Sequence, residues 1–376
     1  MYKPGQNPEE IISGALRGLF ESRGFCRTRP GRFEDYNLYV ENRNFLASEN
    51  VITFMDMDGR LLALKPDVTL SVVKNIPDGE LAAFEKLYYI DEVYRVSRET
   101  HDYRVLSQIG MELIGPPHPF SNIEAVDLAL HALALIGAQF VLDVSHLGFV
   151  SGMLDSMGLP SAAQQQSLAA IHAKSAHELG AVLSDAGIAD DHAEKLLALC
   201  EMRGVLGEIL PKLDRLCLNN SMRDAVDELS QLHAALCRNG HTDKVFLDFS
   251  VVGDFDYYNG LLFTGYVQGV PKAVLSGGRY DNLLRRMGKK SRAIGFAVDL
   301  SGLNLYHKSG RTYDFDAMIS YEDGCSPAGL LDAQSRLLSD GIRVRLEAAS
   351  SSEAAFSSAK HYLFTKDNIL KEVKPC

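Results

Sequence analysis

The run Arg104-Val105-Leu106-Ser107-Gln108-Ile109-Gly110-Met111-Glu112-Leu113-Ile114-Gly115 alternates polar and apolar side chains from Gln108 on. A period of two is that of a β-strand, whose successive residues face opposite sides. Gln108, Gly110 and Glu112 therefore point one way, and Ile109, Met111 and Leu113 the other. A glutamine and a carboxylate flanking a residue without a side chain make a floor for a small polar ligand with N–H donors. The same pattern also fits a half-exposed edge strand with its polar side in water. A second strand-like run, Leu87–Tyr94, precedes it, and Arg95, Arg98, His101 and Arg104 lie in the link. Such a cluster can hold a phosphate through planar guanidinium donors, or stand as a solvated loop.

Outward from these strands the elements follow from capping and periodicity. Asn7, Pro8, Glu9 and Glu10 make a helix start, and Ile11, Ile12, Ala15, Leu16, Leu19 and Phe20 recur at helical spacing before Gly24. Ile52–Leu64 reads as a hairpin turning at Asp58-Gly59. Ser121 with Glu124 three residues later predicts a capping box and a helix to about Gly137. Residues 160–242 are rich in Ala, Leu and Glu and poor in β-branched side chains, which predicts an all-α insertion. Strand character returns at Val245–Ser250 and Leu261–Gln268, and a helix is expected from about Tyr280. After about Ser309 a βαβ-like segment follows, with a strand at Phe315–Ser320, a helix at Ala328–Leu338 and a strand at Ile342–Leu346. The fold class is α+β, with residues 1–310 as the main domain and 311–376 as a short second one.

Composition removes several classes of function. The 376 residues carry 38 Lys+Arg against 49 Asp+Glu, a net charge of −11, which argues against sequence-independent binding to nucleic acid. Apolar runs such as Leu128–Ile136 fall short of the ~20 residues that span a bilayer. Met1-Tyr2-Lys3-Pro4-Gly5 lacks the apolar core of a secretory signal. The six cysteines form no C-x-x-C pair, and the 11 histidines show no metal-site spacing. The expectation is a cytoplasmic protein without membrane contact, metal or cofactor.

Three further stretches carry chemistry. In Lys65-Pro66-Asp67-Val68-Thr69, Asp67 and Thr69 can receive an ammonium group, or Asp67 can cap a helix beginning at Val68. In Asp254-Phe255-Asp256-Tyr257-Tyr258-Asn259-Gly260, Asp256 and Tyr258 share a strand face and can line a pocket, or the stretch is a β-turn with two packing tyrosines. Gly277-Gly278 precede the expected helix and permit close approach of a ligand or a neighbouring strand. The stretch is neither a P-loop nor a dinucleotide fingerprint, and the chain has no G-x-S-x-G. From the residues alone this is a soluble α+β protein with a small-ligand pocket.

Taken in order, the motifs resemble the catalytic core of histidyl-tRNA synthetase, a class II synthetase, over roughly residues 8–305. They are Lys65–Thr69, Leu87-Tyr88-Tyr89-Ile90 leading to Tyr94-Arg95, Gln108–Glu112, Asp256–Gly260, Ser276-Gly277-Gly278-Arg279-Tyr280-Asp281 and Gly295-Phe296-Ala297. The resemblance implies a class II aminoacyl-tRNA synthetase-like antiparallel sheet flanked by helices, with an α-helical insertion. It further implies that Asp67, Thr69, Gln108, Glu112, Tyr257 and Tyr258 stand where that family contacts the ammonium and imidazole of histidine. Arg95 would be the arginine of motif 2, a candidate anion contact.

The departures narrow the branch. Ser97 stands where motif 2 carries a glutamate, Gly253 replaces the catalytic arginine, and Gly302 replaces the motif 3 arginine that grips ATP. Each charge-assisted hydrogen bond contributes about 1.5–3 kcal/mol, and deleting a transition-state donor commonly costs about 10²–10³-fold in rate. Glycine supplies none of this, so little synthetase activity is expected. The C-terminal segment looks like the opening of an anticodon-binding domain, a truncated βαβ remnant. Together these features resemble the regulatory-subunit family of ATP phosphoribosyltransferase, synthetase paralogues in which Pro66-Asp67-x-Thr69 carries Asp where synthetases carry Glu. That resemblance implies a non-catalytic chain without cofactor, needed for full activity and histidine feedback in the first step of histidine biosynthesis. It implies the short-form catalytic subunit as partner and a homodimer at least, extending to a hetero-octamer. It also implies pairing near Pro30, Phe33 and Glu34, histidine as a ligand, and no tRNA. The other readings are a truncated paralogue activating an amino acid for a non-tRNA acceptor, and a docking module without ligand.

Overall fold

Helix α1 (Pro8–Ser22) buries Ile12, Leu16 and Phe20, whose spacing of four places them on one face, and Gly24 follows it at φ 80°. The computed structural model describes residues 8–42, 51–79, 81–97, 100–238, 240–251, 257–303, 313–349 and 357–373. Strand β1 (Cys26–Arg27) comes next. Then β2 (Phe33–Asp35), helix α2 (Tyr36–Glu41), β3 (Thr53–Met55) and β4 (Leu61–Leu64) build a small antiparallel sheet in the order β2-β4-β3. Gly59, at φ 79°, turns the expected hairpin.

Helix α3 (Val68–Lys74) leads to the long strands β5 (Glu85–Val96) and β6 (Tyr103–Gly115). After them run α4 (Pro119–Ile136), β7 (Phe140–His146) and α5 (Leu147–Ser156). The insertion holds α6 (Ser161–His172), α7 (Ala176–Asp185), α8 (Asp190–Glu201), β8 (Arg203–Val205), α9 (Leu206–Leu216) and α10 (Asn220–Leu236). The chain then returns through β9 (Val245–Asp248), β10 (Leu261–Val267), β11 (Leu275–Arg279), α11 (Asp281–Arg286) and β12 (Arg292–Asp299).

Nine of these strands form one sheet in the order β1-β5-β6-β12-β11-β10-β7-β9-β8. It is antiparallel apart from the pairs β1–β5 and β7–β9. Strand β6 lies between β5 and β12, and its alternation sorts the molecule. Ile109, Met111 and Leu113 enter the main core with Phe20, Leu128 and Leu133, while Gln108, Gly110 and Glu112 face the other side. Helix α4 packs on β7, β10, β11 and β12. Burying a leucine such as Leu128 or Leu133 contributes about 1.5–3 kcal/mol. Among the described residues α4 is the one helix long and apolar enough to cross a membrane, with a mean hydropathy of 1.2, and 61% of it is buried inside the protein.

Two expectations are corrected. The capping box at Ser121 does not form: α4 begins earlier, with Pro119 at its first turn and the His118 imidazole accepting the Phe120 N–H, while the Ser121 hydroxyl donates to the His118 carbonyl. The insertion is not all α, because β8 pairs antiparallel with β9 and so belongs to the sheet. Gly277 and Gly278 lie within β11 and still precede the helix at Asp281, and Gly277 lies close against the backbone of Gly295 in the neighbouring strand, the close approach expected of it.

Ile12–Leu303 make up one compact unit, and Asn304–Cys376 with Met1–Ile11 the other. Within the second, β13 (Phe315–Tyr321), α12 (Pro327–Ser339) and β14 (Val344–Ala348) give the expected βαβ. Two strands were not foreseen, β15 (Ser358–Phe364) and β16 (Leu370–Val373). The sheet order is β14-β13-β15-β16, closed on one face by Leu330 and Ala333 of α12 against Ile319 and Phe364.

Candidate functional site

A cavity of about 220 Å³ opens on the face of the sheet that carries Gln108, Gly110 and Glu112. Its depth comes from glycines. A Cβ on Gly110 would stand 2.7 Å from the Phe296 carbonyl, and one on Gly295 would overlap the Glu112 carboxylate and stand 2.5 Å from the Met111 carbonyl. A Cβ on Gly277 would overlap the Gly295 carbonyl. Three adjacent strands thus present bare backbone where their neighbours approach.

The wall opposite the sheet begins at Lys65. Its ammonium is fully buried in an ion pair with Asp91, and its carbonyl accepts the Tyr94 N–H at 3.0 Å, which pins the segment to β5. Asp67 then both caps α3, accepting the Leu70 N–H at 2.9 Å, and lines the cavity. The capping reading of that residue is right, and capping leaves it on the cavity wall. Burial pushes its carboxyl up, against the Leu70 hydrogen bond and the Arg95 charge.

Thr69 is buried in the first turn of α3 and donates to Glu112 Oε1 at 2.7 Å. Tyr280, at the start of α11, donates to Glu112 Oε2 at 2.6 Å. Burial raises the Glu112 carboxyl to about 8, with the two hydroxyl donors opposing and the Asp67 charge adding. Tyr257 and Tyr258 line the cavity with their rings tilted at 55° and their centroids 4.5 Å apart. Burial keeps the phenols of Tyr89, Tyr257, Tyr258 and Tyr280 neutral. Arg95 lines the cavity, and its Nε donates to the Pro66 carbonyl at 3.1 Å.

All seven residues expected at the site, Asp67, Thr69, Arg95, Gln108, Glu112, Tyr257 and Tyr258, line this one cavity. Asp256 lies outside the described residues, as do Gly253, Asp254, Phe255 and Arg98. His101 and Arg104 are exposed and do not line the cavity, although Arg104 is paired in register with Arg95. Tyr89, Tyr280 and Gly295 belong to the quoted motifs but were not singled out as site residues. Only their tertiary placement reveals them.

The arrangement has two carboxyl groups, Glu112 buried and Asp67 half-buried, and one guanidinium among its described lining residues, which suits a small ligand with cationic nitrogen. Among the described residues no group of three or more His, Cys, Asp or Glu side chains could hold a metal ion. At Gly302, a Cβ would stand 3.0 Å from Lys272 Cε, and the Lys272 ammonium is engaged at 2.7 Å by Asp299.

The sheet and its glycine-floored pocket are those of a class II synthetase core. The chain matches the histidyl-tRNA synthetase family over residues 5–303. It is 33% identical over 297 residues to an ATP phosphoribosyltransferase regulatory subunit from Geobacter metallireducens, covering 78% of this chain and 68% of that one. It is 24% identical over 355 residues to one from Oceanobacillus iheyensis, covering 92% and 87%. The chain therefore belongs to the histidyl-tRNA synthetase family and, within it, to the ATP phosphoribosyltransferase regulatory subunits.

Solved structures share the fold. A regulatory subunit/histidyl-tRNA synthetase from Bacillus halodurans superposes with a TM-score of 0.78 at 19% identity, over 94% of this chain and 93% of that one. Histidyl-tRNA synthetase from Nostoc gives 0.77 at 16%, over 99% and 95%. A chain of the ATP phosphoribosyl transferase (HisG:HisZ) complex from Thermotoga maritima gives 0.61 at 19%, over 78% and 98%.

Proposed function

We propose that this chain is the non-catalytic regulatory subunit of an ATP phosphoribosyltransferase, acting in the cytoplasm on a short-form catalytic partner and carrying histidine control of the first step of histidine biosynthesis. One observation carries the reading. The acids and hydroxyls of an amino-acid pocket are assembled, while Gly302 stands at the motif 3 position and the nearby Lys272 is tied up by Asp299. Among the described lining residues Arg95 is then the one cation left to meet the charge that adenylation develops on a phosphate, where preorganised cations are usually the largest stabilising contribution. Control by histidine then requires the ligand to bind one assembly state better than another, and a coupling of about 1–3 kcal/mol gives about 5–150-fold regulation.

For self-association the supporting feature is the small sheet. Phe33, 58% exposed, and Phe54, 37% exposed, meet edge to face at 5.4 Å on the face away from buried Ala63. Glu34, by contrast, is buried and paired with Lys74 at 2.8 Å. We read residues 311–376 as an anticodon-binding-like segment.

The test is co-purification with a short-form catalytic subunit, assayed with and without histidine. A complex should form, and histidine should inhibit only when this chain is present. Absence of a complex, together with exchange of pyrophosphate into ATP by the chain alone, would identify an amino-acid-activating enzyme instead. In the assembled enzyme, Glu112→Ala should weaken histidine inhibition at least tenfold, the effect of losing about 1.4 kcal/mol. Unchanged inhibition would move the regulatory ligand out of this pocket.

A further inference from the structure

Glu112 is 1% exposed, and both its carboxyl oxygens are engaged by hydroxyl groups, Thr69 at 2.7 Å and Tyr280 at 2.6 Å. The groups facing it can be named element by element. Helix α3 brings Thr69 and, at its cap, Asp67; β5 brings Tyr89 and, farther along, Arg95; Tyr257 and Tyr258 precede β10; Tyr280 precedes α11. Strand β12 brings Gly295, whose absent side chain leaves the room that Glu112 Oε2 occupies. Asp67, half-buried, is a second acid lining the same cavity, and the tyrosines and the threonine carry no positive charge. Arg95 is the one cation among the described lining residues, and its charge acts on Asp67. No described Lys, Arg or His forms an ion pair with Glu112. Two carboxylates enclosed together cannot both ionise cheaply, and a proton is the compensation nearest to hand.

Resting on the reading of this cavity as an amino-acid pocket, we propose that Glu112 holds a proton in the unliganded protein, with one of its two hydroxyl partners turned to accept from it, and gives that proton up to solvent when a ligand whose nitrogen is already cationic, an ammonium, enters between Glu112 and Asp67, so that both hydroxyls then donate to the carboxylate. The ligand's charge takes over the proton's task, so the ionised carboxylate is stable only in the complex. Burial raises this carboxyl to about 8, which sets the window. Below that pH the entering cation must displace a proton, so affinity falls by up to about tenfold per unit as the pH drops. Above it the carboxylate is already formed and the dependence levels off. The pocket's occupancy is thereby coupled to pH across the neutral range, and neutral or purely anionic ligands of the same size are rejected.

Two measurements on the full chain test this. Calorimetric titration of L-histidine at pH 7 in phosphate and in Tris, whose ionisation heats differ, counts protons exchanged. Wild type should release about 0.9 proton per histidine more than Glu112→Gln, the protonated fraction of a group titrating one unit higher. Equal counts would overturn the proposal. The second measurement needs no ligand: the ¹³C carboxyl resonance of Glu112, assigned by its loss in Glu112→Gln, should titrate near 8 in the empty protein. A midpoint near the ordinary 4.5 would overturn the stored proton. Failure of histidine to bind would instead defeat the amino-acid-pocket reading, and the resonance would still decide the proton.

Discussion

Gly295→Ala is expected to lower the stability of the main unit by about 3–5 kcal/mol and to abolish ligand binding in the cavity. The added methyl would overlap the Glu112 carboxylate and stand 2.5 Å from the Met111 carbonyl. The carboxylate can swing away, but the carbonyl belongs to the β6–β12 ladder, in which Gly295 is paired with Glu112. Either the two strands separate locally or Glu112 leaves Thr69 and Tyr280. Overpacking costs about 1–3 kcal/mol, and two buried hydroxyls losing their acceptor add about 1–3 kcal/mol each, only partly regained by rearrangement. At about 2–4 °C per kcal/mol the melting temperature should fall by roughly 6–20 °C. Gly18→Ala is the control. It lies within α1 with nothing within 4 Å of the new Cβ, and exchanging glycine for alanine inside a helix should stabilise by up to about 1 kcal/mol. Similar losses for both variants would show that the cavity floor has no special tightness at position 295.

The contrast between those two glycines explains which parts of the fold were legible. Gly18 is read locally, by helix propensity. Gly295 is read only through Glu112, 183 residues earlier in the chain, and no periodicity reports such a neighbour. Strand β6 was legible because one of its faces is the core and the other the site, so the alternation of Ile109, Met111 and Leu113 with Gln108, Gly110 and Glu112 is complete. The start of α4 was misread because the Ser121 hydroxyl is spent on the His118 carbonyl while the His118 ring takes the capping role. β8 escaped notice because three residues, Arg203-Gly204-Val205, are too few to show a period. They become a strand through pairing with β9.

The site divides the same way. Gln108 and Glu112 share a strand face fixed by their spacing, Asp67 and Thr69 sit together in one short stretch, and all four converge in one cavity. Tyr280 was read as a helix start. Its hydroxyl reaches Glu112 because β11 lies beside β12 and β12 beside β6, an arrangement that exists only in the folded sheet. Tyr89 was visible as part of a motif, but its hydroxyl fills the space over Gly110 because β5 and β6 pair Tyr89 with Gly110.

At the far edge of the sheet, Arg203→Ala is expected to cost about 2–3 kcal/mol near neutral pH, with a deficit that shrinks as the pH falls. Arg203 of β8 reaches Asp143 of β7 at 3.1 Å and Asp248 of β9 at 3.1 Å, and both carboxylates are buried. Removing one partner of a buried pair costs about 3–5 kcal/mol. Arg203 is 46% exposed, so solvent screening reduces that figure. Asp248 keeps Lys174 at 2.6 Å and the N–H and hydroxyl of Ser250, whereas Asp143 loses its arginine. Burial already holds the Asp143 carboxyl above its ordinary range despite Arg203, with the Asp248 charge adding to the rise. In the variant it rises further. A carboxyl raised in the folded state destabilises once the pH exceeds its folded pKa, and the penalty vanishes when the group is protonated in both states. The deficit should therefore be full at pH 7 and smallest near pH 4, as measured by urea unfolding at the two values. Arg203→Lys should recover only part of it, since an ammonium cannot bridge two carboxylates as a planar guanidinium does. A deficit unchanged between the two pH values would assign the loss to packing, because the guanidinium also lies over the Phe246 ring at 5.3 Å. The insertion would then be held to the core sheet by that stacking and not by charge.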